Sequence, residues 1–405
     1  MSKTPLLISI IRPTYGKWLL KHYNVSTQNF ESIPEEGPFL VFGNHTHLYD
    51  PFFISSAFDQ HINWVAGAYL FKNKILNYLL GTLIGGISKQ QGKSDLHTIT
   101  QIKNKLKKGE IVGLFPEGTR SWDGESIPIN DATAKLVRIF NVPVVIIQID
   151  GAYGSKPRWA RKRRKGPIVL RVVKVVDPVE MAGKKVKEIA EIINESLVYS
   201  YEQWQKENSV PFTSPVRSEG IEKLLYACPN CKQFSTISGK KDRIRCTACG
   251  FEWKLDELDR LHSRQQPDHP DSLSQWHRWE IDHMKQIAES SSCDQPIFPA
   301  DQGILFQISK RKRLLMVSKD FTLEAMYDRF VLKMNSFKRH IPIAENECVE
   351  FLFDGISSIA INAKSTLEFS YKEHIYRVRV RENQSVLKYM ELYQNSNHQS
   401  LKESM

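Results

Sequence analysis

Residues 37–53 read GPFLVFGNHTHLYDPFF, and the parsing of this stretch decides the fold. "GPFLVFG" (37–43) is a short unbroken apolar run, the pattern of a strand buried on both faces. "NHTHLY" is polar and too short for an element of its own, so it reads as a loop. Asp50-Pro51 then opens "FFISSAF", and Asp at an N-cap followed by Pro is a helix-start signal. Strand, loop and helix in immediate succession open an α/β unit.

The same grammar continues downstream. Residues 94–108 read as a helix, from Ser94 to the basic end "KNKLKK", with Gly109 placed to stop it. "EIVGLF" (110–115) is a second buried strand that runs directly into "PEGTRS". "VPVVIIQI" (142–149) is a third, and "PIVLRVVKVV" (167–176) alternates enough to be half exposed. A charged amphipathic helix over about 184–206 closes the region. Apolar strands alternating with helices predict an α/β domain over residues 1–215.

The pattern changes after Pro211 and Pro215. Paired cysteines occupy 226–254, within a predicted small module at 222–256. "RLHSRQQPDHPDS" (260–272) reads as a polar linker and "LSQWHRWEIDHMKQIAES" as a helix, together 257–299. Short strands then follow one another: "GILFQIS", "RLLMVS", "FTLEAMY", "RFVLKM", "GISSIAI", "STLEFSY" and "IYRVRVR". A last helix, "SVLKYMELYQ", completes a small mostly-β domain at 300–395, pleckstrin-homology-like in outline.

At 405 residues, 41% hydrophobic and 25% charged, the chain has the composition of a globular protein with room for a sizeable core. It holds no uninterrupted apolar run of the ~18 residues that a membrane-crossing helix needs. Arg12 interrupts the apolar N-terminal patch and no small-residue cleavage site follows, so this patch reads as mature sequence rather than a signal peptide.

Two stretches carry candidate chemistry. His45 and Asp50 would lie about 140° apart on a continuous helix, but a loop turning into a helix can bring them together. Asp50 would then accept a hydrogen bond from one imidazole nitrogen, leaving the other free to take a proton, which is the base–orienter pair that activates a hydroxyl. Taken alone, the spacing is more simply met by an N-cap aspartate beside two loop histidines. In "LFPEGTRSWDG" (114–124) a strand ends in Pro, Gly and charges, where α/β folds place ligands. Arg120 there can grip a phosphate bidentately; a turn with a structural Glu117–Arg120 pair is the plainer reading.

Together, "NHTHLYDP" and "FPEGTRS", about 70 residues apart in this order, resemble the glycerolipid acyltransferase family, which acylates glycerol-3-phosphate and lysophosphatidate. "GGISKQQG" (85–92) is similar to the family's second motif and "VPVVIIQIDGAY" (142–153) to its fourth. The resemblance spans roughly residues 35–205 and implies a mixed sheet flanked by helices. It implies that His45 is the general base and Asp50 its orienting partner. The acceptor hydroxyl would attack an acyl thioester directly, without an acyl-enzyme. Glu117, Gly118, Thr119 and Arg120 match the third motif, with Arg120 on the acceptor's phosphate. Lys89 stands where the second motif usually has Arg, and it can still pair with phosphate, though not as a planar fork. His47 is a departure, since the family usually shows a small hydroxyl residue there.

Cys228, Cys231, Cys246 and Cys249 form a C-x2-C-x14-C-x2-C array. Four thiolates in two tight knuckles match structural zinc and resemble a zinc ribbon. Redox or unliganded cysteines are the alternative. Cys293 and Cys348 read as ordinary residues.

The net charge is +11, and "KPRWARKRRK" (156–165) supplies seven of the Lys and Arg residues. A solvated loop, an anionic lipid surface and an acidic acyl carrier protein each fit such a run. On the lipid reading Trp159 is an interfacial anchor. No aromatic-and-basic strand pattern accompanies the run, which argues against nucleic acid. The N-terminal patch reads as an interfacial helix or a helix packed on the core.

The expectation from sequence is therefore a cytoplasmic enzyme, peripheral on the inner face of the membrane. It would pass a fatty acyl group from acyl-CoA or acyl carrier protein to a lysophospholipid, 1-acylglycerol-3-phosphate first among them, with structural zinc and no catalytic cofactor. Glycerol-3-phosphate, another lysolipid or an aminolipid are alternative acceptors. A membrane-associated binding or regulatory protein built on the ribbon and β-module is the alternative of another class.

Overall fold

The computed structural model describes residues 4–67, 78, 81, 85–89, 96–129, 131–263, 269–292, 294–308, 314–336, 348–381 and 383–396. Cys293, part of the polar linker and residues 90–92 of "GGISKQQG" lie outside them. The chain divides into two compact units, one of Met1–Arg158 with Arg163–Ser214, the other of Trp159–Lys162 with Pro215–Met405.

Seven strands build the first unit: β1 (Val25–Gln28), β2 (Leu40–Gly43), β3 (Ile62–Gly67), β4 (Ile87–Lys89), β5 (Ile111–Leu114), β6 (Val144–Asp150) and β7 (Ile168–Val176). Their order in the sheet is β1-β7-β6-β2-β5-β3-β4. Every neighbouring pair is parallel except β6 and β7, so the sheet is mixed. Strand alternation sends Leu40, Phe42, Val112, Val144 and Ile146 to one face, against helices Leu96–Lys107, Asp131–Phe140 and Val186–Leu197. Phe39, Val41, Ile111, Val145, Ile147 and Ile149 go to the other, against helix Asp50–Ala57 and the N-terminal Leu19 and Tyr23. Helices cover both faces, which is why these strands read as unbroken apolar runs.

β2 lies between β6 and β5 and is parallel to both, with Leu40 opposite Val112 and Phe42 opposite Leu114. The loops leaving β2 and β5, "NHTHLY" and "PEGTRS", therefore emerge side by side at the strands' carboxyl ends. This is where parallel α/β sheets bind ligands.

Two local readings are corrected. The helix expected over 184–206 is two, Val186–Leu197 and Tyr201–Asn208. Val198 leaves the helical region at ψ 126°, and the Ser200 hydroxyl restarts the helix by accepting from Gln203 N at 3.0 Å. Asp50 is the first residue of its helix rather than the cap, which is Tyr49, and its carboxylate turns back into the preceding loop.

In the second unit β8 (Ile237–Lys240), β9 (Arg243–Cys246), β10 (Glu252–Leu255) and β11 (Leu261–His262) form an antiparallel sheet in the order β11-β10-β9-β8. The helix Leu273–Ser290, read from sequence as following a linker, is tied to this module. Trp276 Nε1 donates to Ala227 O at 2.8 Å, and buried Glu280 Oε2 accepts from Tyr226 N and Ala227 N. Eight further strands follow: β12 (Asp301–Ile308), β13 (Leu314–Ser318), β14 (Asp320–Ala325), β15 (Arg329–Ser336), β16 (Cys348–Leu352), β17 (Ile356–Asn362), β18 (Thr366–Tyr371) and β19 (His374–Val380). They order as β16-β15-β14-β12-β19-β18-β17, with β13 on β12, and helix Leu387–Asn395 ends the described chain. No helix among the described residues is long and apolar enough to cross a membrane.

Candidate active site and cysteine cluster

The loop after β2 is anchored before it turns. Asn44 is fully buried, and its side-chain amide mimics a strand backbone by accepting from Ile149 N at 2.7 Å and donating to Ile149 O at 3.4 Å. His45 follows with one fifth of its side chain exposed. Asp50 Oδ2 accepts from His45 Nδ1 at 2.9 Å, from Thr46 N at 2.9 Å and from His47 N at 2.8 Å. An ionised carboxylate only accepts, so Nδ1 carries the imidazole proton and Nε2 presents a lone pair.

The loop after β5 holds the main chain of His45 from both sides. Glu117 Oε1 accepts from His45 N at 2.7 Å, and Ser121 N donates to His45 O at 2.8 Å. Glu117 Oε2 also accepts, from Ile127 N at 3.3 Å, so both carboxylate oxygens are engaged by backbone. Phe115 stacks on the imidazole at 4.2 Å between centroids, and Trp64 stacks on Phe115 at 4.9 Å. Gly118 makes the turn at φ +71°, a conformation that favours glycine. Lys89 ends β4, exposed, at the same carboxyl edge of the sheet.

Electrostatics set the histidines apart. Burial lowers the His45 pKa below its ordinary value; Asp50 opposes the shift, and Arg120 and Arg158 add to it. Burial and the two arginines thus favour the neutral imidazole. His47 is buried behind it, stacked on Phe53 and edge-on to Tyr23. Its Nδ1 accepts from Tyr49 N at 3.0 Å, and burial lowers its pKa to about 4. Burial raises the Glu117 carboxyl to about 8 against the pull of its two backbone donors.

Sequence reasoning missed three contributors. Asn44 and Phe115 had no separate signal beyond their place in the motifs. Arg158 was hidden inside a run of like charges. That run is not a continuous solvated face: Arg161, Lys162 and Lys165 are exposed, while Arg158 and Arg164 are buried. Trp159 is fully buried, which corrects its reading as an interfacial anchor.

The cysteines form a second centre. In each knuckle a residue at positive φ follows the second cysteine, Lys232 at 62° and Gly250 at 77°. Lys232 N donates to Cys228 O, and Gly250 N to Cys246 O, so the two turns repeat each other. The four Sγ atoms lie within 4.8 Å of one another, with Cys228–Cys249 at 3.9 Å and Cys231–Cys246 at 3.7 Å. Four Zn–S bonds of ~2.3 Å in a tetrahedron require sulfurs about 3.8 Å apart. The donor set fits zinc, which Cys228, Cys231, Cys246 and Cys249 would hold.

Residues 24–150 match the model of the acyltransferase family. Over 142 residues the chain is 25% identical to a 1-acyl-sn-glycerol-3-phosphate acyltransferase of Bacillus subtilis, covering 35% of this chain and 70% of that protein. It is 26% identical over 157 residues to the protein of the same name in Helicobacter pylori, covering 36% and 65%. Among solved structures, the 1-acyl-sn-glycerophosphate (LPA) acyltransferase PlsC from Thermotoga maritima aligns with 50% of this chain and 80% of its own, at a TM-score of 0.41 and 23% identity.

Proposed function

We infer the function from one premise: through residues 24–150 the chain belongs to the acyltransferase family. The reaction is O-acylation. We propose that the acceptor is a lysophospholipid, 1-acylglycerol-3-phosphate first among them, and that the product is phosphatidate. The donor is a thioester of coenzyme A or of acyl carrier protein.

In the proposed mechanism His45 Nε2 takes the proton of the acceptor hydroxyl as its oxygen attacks the thioester carbonyl. The tetrahedral intermediate collapses with loss of thiolate, which recovers the proton from the imidazolium. Asp50 holds the ring through Nδ1 and stabilises the transient positive charge. Arg120 and Lys89 meet the acceptor's phosphate. Glu117, Gly118 and Thr119 shape the loop that carries Arg120. Zinc on the four cysteines holds the ribbon together and takes no part in the transfer.

The observation that carries this reading is the junction of the two loops: His45 on Asp50 at 2.9 Å, with its main chain held by Glu117 and Ser121. We further propose a peripheral, cytoplasmic enzyme on the inner membrane face. Support comes from exposed Leu6, Ile10, Tyr15 and Trp18 near the N-terminus, with exposed Leu48 and Phe52 flanking Asp50. The test is transfer from labelled acyl-CoA and acyl carrier protein thioesters to lysophosphatidate, glycerol-3-phosphate, zwitterionic lysolipids and an aminolipid in detergent. Transfer to lysophosphatidate is expected. Transfer to acceptors without phosphate at equal rate, or to none, would refute the reading.

A further inference from the structure

Two members of the basic run 156–165 are buried, Arg158 and Arg164, and Arg158 is the one that reaches the loop after β5. Arg158 retains only 6% of its surface, and a buried guanidinium is expensive unless its donors are satisfied. Its Nη1 donates to Thr119 Oγ1 and to Arg120 O, both at 3.1 Å. Its plane lies over the Trp122 ring at 4.2 Å from the centroid. Tyr153 Oη donates to Trp122 O at 3.2 Å, so the chain that follows β6 grips Thr119–Trp122 at several points. All these residues belong to the first unit.

We propose that Arg158 is a positioning residue of the acyl-transfer site, holding Thr119–Trp122 so that Arg120 and the main chain of His45 keep their places. The link to the base is Ser121, whose N–H donates to His45 O. The link to the acceptor is the Arg120 carbonyl, fixed while its own guanidinium reaches for phosphate. A lysine in place of Arg158 keeps the charge but has neither the fork nor the flat face. The charged and titratable groups around His45 are Asp50, Glu117, His47, Arg120 and Arg158. Removing Arg158's charge therefore also shifts the base's titration upward. The assignment of the acceptor's phosphate to Arg120 rests on the function proposed above; the effect on His45 does not.

The test compares Arg158→Lys, Arg158→Gln, Thr119→Val and the double variant Thr119→Val/Arg158→Lys in the full-length protein. Arg158→Lys is expected to raise the KM for lysophosphatidate about ten-fold, the loss of one charge-assisted hydrogen bond, and to leave the donor KM unchanged. Thr119→Val removes the contact from the other side, so it moves the acceptor KM in the same direction. Its effect is then less than additive with Arg158→Lys. NMR titration of His45 reads the second effect: Arg158→Gln raises its pKa, and Arg158→Lys changes it less. A merely structural role would lower the active fraction alone, with the acceptor KM and the additivity unchanged, and that result overturns the proposal. If the Arg158 variants do not fold, Thr119→Val decides it, since an unaltered acceptor KM refutes the clamp. If the wild type transfers to no acceptor, the proposed function fails, while the NMR shifts of the Ser121 and His45 amides in Thr119→Val and Arg158→Lys still decide the role of Arg158: a change is expected, and unchanged shifts overturn the clamp.

Discussion

Asp50→Asn separates the charge of the orienting carboxylate from its shape. In the wild type one oxygen, Oδ2, serves His45 Nδ1 and two backbone N–H groups, and the residue is fully buried. Asparagine can place its carbonyl oxygen there, so the loop can keep its path. Its amide then occupies the position of Oδ1, a buried atom with no hydrogen-bond partner among the described residues. Loss of charge weakens the two backbone contacts by about 1 kcal/mol each, so unfolding free energy should fall by about 2 kcal/mol. The larger effect is on the imidazolium that the proposed mechanism forms in the transition state. With charge centres about 4 Å apart and an effective dielectric of about 20, the lost attraction is about 4 kcal/mol. That corresponds to roughly a 10³-fold fall in kcat. The assay is thioester turnover at saturating acceptor, with urea unfolding of the same samples. The acid limb of the pH–rate profile should also move down, because the neighbour that favours protonated His45 is gone. A kcat within ten-fold of wild type would refute the reasoning, as would a loss that only tracks the unfolded fraction.

Further outcomes follow from the same geometry. His47 is neutral in the fold, with a pKa lowered to about 4, while in the unfolded chain it titrates near 6.5. The unfolded state thus binds more protons as pH falls, giving a penalty absent above pH ~6.5 that grows to about 3 kcal/mol near pH 4. His47→Phe should keep substantial turnover and flatten this acid loss in a denaturation series; an unchanged slope would show His47 is not buried neutral. Glu117 has the opposite sign, so its contribution falls as pH rises from 4.5 to 8, and only the difference between the two proteins isolates His47. Arg120→Lys should raise acceptor KM by ten-fold or more with kcat less affected; an unaltered KM would remove Arg120 from the phosphate. Chelation should release one zinc per chain and unfold the module around β8–β11, seen as lost amide protection there; a metal content of zero in fresh protein would exclude the zinc assignment.

The two strand-end motifs were legible because their residues are rare in that combination and their strands read as buried runs. Meeting of His45 and Asp50 depended only on a loop entering a helix, which Asp-Pro announces. The cysteine spacing was legible for a similar reason, since two knuckles leave few other arrangements. Edge strands were not legible: β1 (VSTQ) buries none of its residues and β16 buries only Phe351, so neither carries a face pattern. The break at Val198–Ser200 was hidden because apolar periodicity runs on either side of it. Arg158 was hidden because which of seven basic residues are buried, here Arg158 and Arg164, depends on where the chain passes after β6, which no local pattern encodes.

The central claim is that His45 is the base of a direct acyl transfer, and His45→Ala tests it most directly. The measurement is steady-state transfer from a labelled thioester to lysophosphatidate, alongside a thermal or urea unfolding curve. The expected result is a native-like unfolding transition with turnover about 10³-fold lower, within the roughly 10²–10⁴-fold contribution of a general base. A variant that folds and turns over at the wild-type rate would contradict the account.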